Sequence, residues 1–227
     1  MKRRARRAIL NSKGITLIEL LIVLVISALL VGGIYRLFVA QTRAYTVQDQ
    51  VVEVQQSIRG AMEIMLRDLR MAGFDSDAIT SKITIANPVI VGDHTVTVNY
   101  EYDDTTQYTV IYSRDTVTST LTRQLTTIKD DGTTVAGPQE VLLENVEALD
   151  FTYGLDGDGD GAMDDRDGDG KIDDDDWVPA AGVGTTKVVA VRVLLTARAA
   201  EVNPDLQVTS PRTLVTSVTL RNQCLSR

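Results

Sequence analysis

Cysteine and histidine each occur once in 227 residues, and that scarcity removes several kinds of chemistry before any motif is read. Cys224 has no intramolecular partner, so it is a tail thiol or an intermolecular bridge, and a disulfide framework is excluded. His94 alone rules out a histidine-rich zinc site. Any nucleophile–base pair would have to rest on this one residue, in the polar run Gly92-Asp93-His94-Thr95 that reads as a turn entering a strand. There is no glycine-rich phosphate loop and no carboxylate couple on opposed elements, so catalysis is not expected. Basic residues are concentrated in one place: Lys2, Arg3, Arg4, Arg6, Arg7 and Lys13 lie in the first thirteen positions, although the whole chain carries a formal charge of -8. The remainder is more acidic still. Such a chain is repelled by nucleic-acid phosphates and anionic headgroups, so no nucleic-acid partner is expected. With 44% hydrophobic and 24% charged residues, the length suffices for a folded domain with an anchor.

A long hydrophobic run is present. From Ile15 to Tyr35 the only charge is Glu19, and as a helix the run would span roughly 31 Å, the thickness of a bilayer core. The basic stretch before it keeps the amino terminus cytoplasmic and puts the bulk of the chain across the membrane. A cleaved secretory signal, a signal anchor and an ordinary transmembrane helix all leave Glu19 unexplained, since a carboxylate there costs on the order of 2.5 to 3.5 kcal/mol. Beyond Arg36, Val47, Val51, Val54, Ile58, Met62, Met65 and Leu69 recur at helical spacing opposite Gln48, Glu53, Gln56, Arg59, Glu63, Arg67 and Arg70. The spacing predicts one helix continuing to about Met71, with Gly73 as its stop.

After Asp75 the sequence turns to Thr, Val and Tyr with turn punctuation, which predicts antiparallel strands over 95–102, 107–113, 116–126, 144–153, 187–197 and 212–221. The nearly unbroken apolar run 187–197 is expected to be central. Residues 156–176 hold eleven aspartates against Arg166 and Lys171. Asp156, Asp158 and Asp160 precede Gly161, with Ala162, Met163 and Asp164 following and Asp167 at the twelfth place. Asp165, Asp167 and Asp169 repeat the pattern before Gly170, then Lys171, Ile172, Asp173 and Asp176. Alternate aspartates on a tight turn converge on one hard divalent ion, so the expected cofactor is calcium. The side chains of Asp156, Asp158, Asp160, Asp164, Asp165, Asp167, Asp169, Asp173 and Asp176 would supply oxygens, and Ala162 and Lys171 would supply backbone carbonyls. In this register Asp167 serves both loops, while Met163 and Ile172 tuck them onto the domain. The competing reading is a solvated acidic linker. Trp177 and Pro179 would form a contact patch beyond the insertion.

The run Lys13-Gly14-Ile15-Thr16-Leu17-Ile18-Glu19-Leu20-Leu21-Ile22-Val23-Leu24 resembles the processing site of type IV prepilins and pseudopilins. That resemblance implies cleavage between Gly14 and Ile15 by a prepilin peptidase and methylation of the new terminus, with Ile15 standing where the family usually has Phe. It also implies a Glu19 carboxylate that pairs with a neighbouring subunit's amino terminus and fixes register. The segments 65–74 and 214–222 are similar to the helix end and final strand of PilW-type minor pilins. Without flanking helix pairs, the acidic loops look like those of dockerins and thrombospondin type 3 repeats. The fold implied is α+β and type IV pilin-like, a long amino-terminal helix on an antiparallel β-sheet domain. Its parts are a leader (1–14), a transmembrane and filament-core helix (15–37), an amphipathic half (38–73) and a β domain (74–227). Expected partners are other pilins and minor pilins, the peptidase and an inner-membrane assembly platform. The chain is expected as a single-pass inner-membrane protein before assembly and in a periplasmic or extracellular pilus afterwards. A type II secretion pseudopilin and a calcium-dependent adhesin on a pilus stalk stay open as alternatives.

Overall fold

The computed structural model describes residues 14–75, 81–199 and 211–224, so the expected leader, Gly14 apart, lies outside it. Helix α1 (Leu17–Met71) begins in the first of two units, Met1–Val47, and continues into the second, Gln48–Arg227. Its start is a reciprocal cap: the Thr16 N–H and hydroxyl both donate to Glu19 Oε2 at 2.9 Å, while Glu19 N–H donates to Thr16 Oγ1 at 3.3 Å. In the first unit the apolar side chains from Ile15 to Phe38 are exposed. In the second, Val54, Ile58, Met62, Met65 and Leu69 are buried, as their spacing predicts. The helix stops where Gly73 turns to φ +68° and its N–H donates to Asn99 O at 2.9 Å.

Strands β1 (Val89–Ile90), β2 (Thr95–Asp103), β3 (Thr106–Asp115), β4 (Thr120–Lys129) and β5 (Thr134–Leu143) form an antiparallel meander in sequence order. Strand β6 (Val146–Asp156), the short helix α2 (Ala180–Val183), β7 (Lys187–Ala197), β8 (Arg212–Thr219) and helix α3 (Arg221–Cys224) complete the domain. In the second sheet β7 lies between β6 and β8, as its apolar run anticipates. Val96, Val98, Val110 and Leu121 of the first sheet share one core with Leu149, Phe151, Val191 and Val193 of the second and with the buried stripe of α1. Tyr153 fastens the sheets: its hydroxyl donates to Gly92 O at 2.7 Å and accepts from Gly92 N–H at 3.0 Å. Burial raises that phenol to a pKa of about 12.

Strand β1 and several strand ends differ from the sequence expectation, and three differences stand out. Strand β5 was not anticipated, because it is an exposed edge carrying Gly137 and Pro138. A Cβ at Gly137 would stand 2.7 Å from Leu125 O, at an irregularity in the β4–β5 register. Strand β4 starts at Thr120 rather than Thr116, because the Asp115 carboxylate accepts the Val117 N–H at 2.8 Å and holds a turn that ends at Ser119, φ +54°. Strand β8 ends at Thr219, and Arg221 opens α3.

The buried face of α1 also carries Asp68. Arg123 on β4 meets its Oδ2 through Nε and Nη2, each at 3.0 Å, and the Tyr112 hydroxyl donates to the same oxygen at 2.6 Å. Burial first, and the Asp68 carboxylate second, push the Tyr112 phenol far above its ordinary value.

Candidate metal centre and amino-terminal segment

The acidic insertion leaves β6 at Asp156, whose side chain is buried, and returns at Lys187, whose Nζ lies 3.9 Å from Asp156 Oδ2. Its first turn is organised by side-chain acceptors. Asp156 takes the N–H of Gly159 (2.7 Å) and Gly161 (3.1 Å), Asp158 takes Asp160 N–H (3.0 Å), and Asp160 takes Ala162 N–H (2.7 Å). Nine residues later the pattern recurs. Asp165 takes Gly168 (2.8 Å) and Gly170 (2.6 Å), Asp167 takes Asp169 (3.1 Å), and Asp169 takes Lys171 (2.8 Å). The loops need φ between +77° and +86° at Gly159, Gly161, Gly168 and Gly170, which explains glycine at those places.

The geometry yields two carboxylate clusters. Asp156, Asp158 and Asp160 each bring one oxygen within 4.8 Å of the others, and Asp165, Asp167 and Asp169 do the same. Asp167 falls in the second cluster. The first loop closes through Asp164, whose Oδ2 accepts Gly157 N–H at 2.6 Å; the second closes through the buried Asp176, whose Oδ1 accepts Arg166 N–H at 2.6 Å. Asp173 heads the turn Asp174–Asp176 and accepts Asp175 N–H at 3.0 Å. The eighth positions differ from one another. Met163 packs against Gly154, leaving no room there for a Cβ, whereas Ile172 stays 51% exposed and does not anchor its loop. What ties the second loop to the sheet is Arg192 on β7. Its guanidinium lies 4.3 Å from the centre of the Trp177 ring and 2.8 Å from Asp174 Oδ1, so Trp177 is partly covered rather than a free patch. The sequence signal for Arg192 was weak, a lone cation in an apolar strand.

Electrostatics separates two members of the second cluster. The Gly170 and Gly168 N–H groups hold the Asp165 carboxyl below the ordinary range. For Asp167 the Asp169 N–H acts in the same direction, but the adjoining Asp165 carboxylate and desolvation outweigh it, and the Asp167 carboxyl sits above the ordinary range. Three converging carboxylates are the donor set that a hard divalent ion, which takes oxygen ligands, would use. His94 contributes nothing to this centre; its Nδ1 lies 3.0 Å from Leu149 O and from Asp150 Oδ1, in the turn before β2.

At the other end of the chain Gly14 and Ile15 lie in exposed, non-helical backbone immediately before α1, and Glu19 is in the first helical turn. The family described as type IV pilus-assembly protein W matches residues 107–223, just over half the chain. The chain belongs to that family. The prokaryotic N-terminal methylation motif matches residues 9–35, which includes Gly14, Ile15 and Glu19. No curated protein and no solved structure matches the chain. Family and motif together identify a type IV pilus-related minor pilin, a member of a family of structural proteins, anchored in the inner membrane by the apolar part of α1 and associating with other pilins and the assembly machinery.

Proposed function

We propose that this minor pilin takes part in initiating or assembling a type IV pilus, and that calcium orders its acidic insertion. A prepilin peptidase cuts between Gly14 and Ile15, and the subunit then leaves the inner membrane for the filament. The observation that carries this reading is the exposed apolar surface of Ile15 to Phe38, interrupted by one carboxylate in the first turn. A bilayer shields such a surface before assembly, and neighbouring helices shield it afterwards. For the insertion, support comes from the two carboxylate clusters in the same phase. Asp167 and Asp176 stand at the twelfth places of the two loops, where an EF-hand has a bidentate Glu, and Asp there suits the weaker binding typical of extracellular calcium.

The amino-terminal mass of the protein, measured from native membranes and from sheared filaments, tests the assembly reading. A chain beginning at Ile15 in both fractions is expected. A chain beginning at Met1, or absent from filaments, would reduce the protein to an ordinary membrane-anchored domain.

A further inference from the structure

We propose that α3 is a clip that couples the order of the first acidic loop to the last turn of α1. Two contacts on this short helix define the route. On one side, Gly161, at φ +85°, lies so close to the Cys224 carbonyl that a Cβ at Gly161 would collide with it. On the other side, Asn222 Nδ2 donates to Ala72 O at 3.2 Å and to Arg70 O at 3.4 Å, carbonyls that a helix end leaves without intrahelical partners. The Gln223 amide fills the space over Gly73, at the turn that ends α1. Between these contacts α3 is seated on β7, where Leu220 N–H donates to Val189 O at 2.7 Å, and its first turn is closed by Cys224 N–H on Leu220 O at 3.2 Å.

The physical consequence follows from the shortness of the element. A one-turn helix has little stability of its own and keeps its place through what it touches. When the first loop is ordered about Asp156, Gly161 presents a flat backbone surface to Cys224, α3 keeps its seat, and Asn222 stays on the α1 carbonyls. When the loop loosens, α3 loses one of its supports and the cap on α1 weakens. Coupling of this kind is reciprocal, so releasing the cap also loosens the loop. The inference rests on the calcium reading only for what orders the loop; the route through α3 stands on contacts within the chain.

Hydrogen exchange on the full chain in detergent micelles, with and without calcium, tests the coupling. Gly161→Ala disturbs the loop–α3 contact together with the positive-φ turn of the loop itself, and Asn222→Ala touches the α3–α1 contact. Each is expected to speed exchange by about fivefold, the factor carried by one helix cap, both in residues 68–74 and in residues 157–163. Gly159→Ala is the control: Gly159 has the same positive φ, but no atom lies near its Cβ position, so its effect stays within the loop. If each variant changes only the segment it touches, or if Gly159→Ala and Gly161→Ala act alike on 68–74, the clip is refuted. Should Gly161→Ala fail to fold, the effect of Asn222→Ala on residues 157–163 decides alone. Calcium is expected to slow exchange in 68–74 of the natural chain and not in Asn222→Ala. Calorimetry showing no calcium binding would overturn the calcium reading and leave the comparison of variants to judge the clip.

Discussion

Asp68 lies between Met65 and Leu69 on the buried stripe of α1, and its carboxylate is almost wholly enclosed by Arg123 and Tyr112. Removing one member of such a pair strands the other, so Asp68→Ala is expected to lower unfolding stability by about 3 kcal/mol, against about 1.5 for Tyr112→Phe, in denaturant titrations of the full chain. Hydrophobic periodicity could place Met65 and Leu69 but not this pair, because the cation that makes Asp68 tolerable lies 55 residues away on β4. The aspartates of the insertion titrate in a way that bears on calcium. A carboxyl held above its unfolded value, as Asp167 is, favours the protonated folded state; its contribution is present at low pH and lost as pH rises through the folded pKa. Asp165 has the opposite sign, its contribution being present at neutral pH and lost as pH falls through its lowered value. At pH 7 the two contributions oppose each other, and a cation placed among the carboxylates would relieve the crowding at Asp167. Calcium is expected to raise the melting temperature at pH 7 by several degrees, roughly the effect of 1 kcal/mol or more, and to lose that effect as the pH falls toward 4. A melting curve indifferent to calcium at pH 7 would leave the acidic-linker reading.

At the scale of elements, the two acidic loops have the same internal bonds but different attachments. Met163 anchors the first against Gly154, while Ile172 of the second is exposed and its loop is held by Arg192 through Asp174 and Trp177. Truncation should expose this asymmetry. Met163→Ala is expected to cost about 1 to 2 kcal/mol and Ile172→Ala within about 0.5, measured by thermal unfolding with calcium present. The loops were legible in the sequence because alternating aspartates and a glycine at the sixth place have few other uses, whereas the expected sharing of Asp167 is not what the geometry brings together, because the choice between Asp164 and Asp167 as the closing acid depends on how β6 delivers the chain. The end of α1 at Gly73 and the central place of β7 were equally legible, since a positive-φ glycine and an apolar run each answer to a single local cause. Strand β5 was hidden for the converse reason. Its residues face solvent on an edge, so they carry neither the apolar alternation nor the absence of proline by which a strand is recognised.

For the whole molecule, Glu19 links the two environments that the chain is proposed to occupy. Its carboxylate caps the first turn of α1 through Thr16, which partly offsets the cost of an acid in an apolar segment. Glu19→Ala is expected to insert into the membrane normally and to fall by about tenfold or more in sheared filaments, since even ~1.4 kcal/mol of lost pairing carries that factor. Normal abundance in filaments would remove Glu19 from any part in register. The insertion affects the molecule in another respect, the rate at which the second sheet is made. Strands β6 and β7 are paired neighbours, yet residues 157–186 intervene between them. Closing about thirty residues instead of about four is roughly three doublings of loop length, or ~1.8 kcal/mol of added entropy cost. The structure breaks that distance into short steps. Asp164 N–H returns to Leu155 O, Arg166 N–H returns to Asp176, and Val178 exchanges two backbone bonds with Tyr153. Each of the first two steps closes a small ring rich in aspartates, so repulsion among them opposes the closure. Neutralising those charges is therefore expected to speed the pairing of β7 with β6 on refolding.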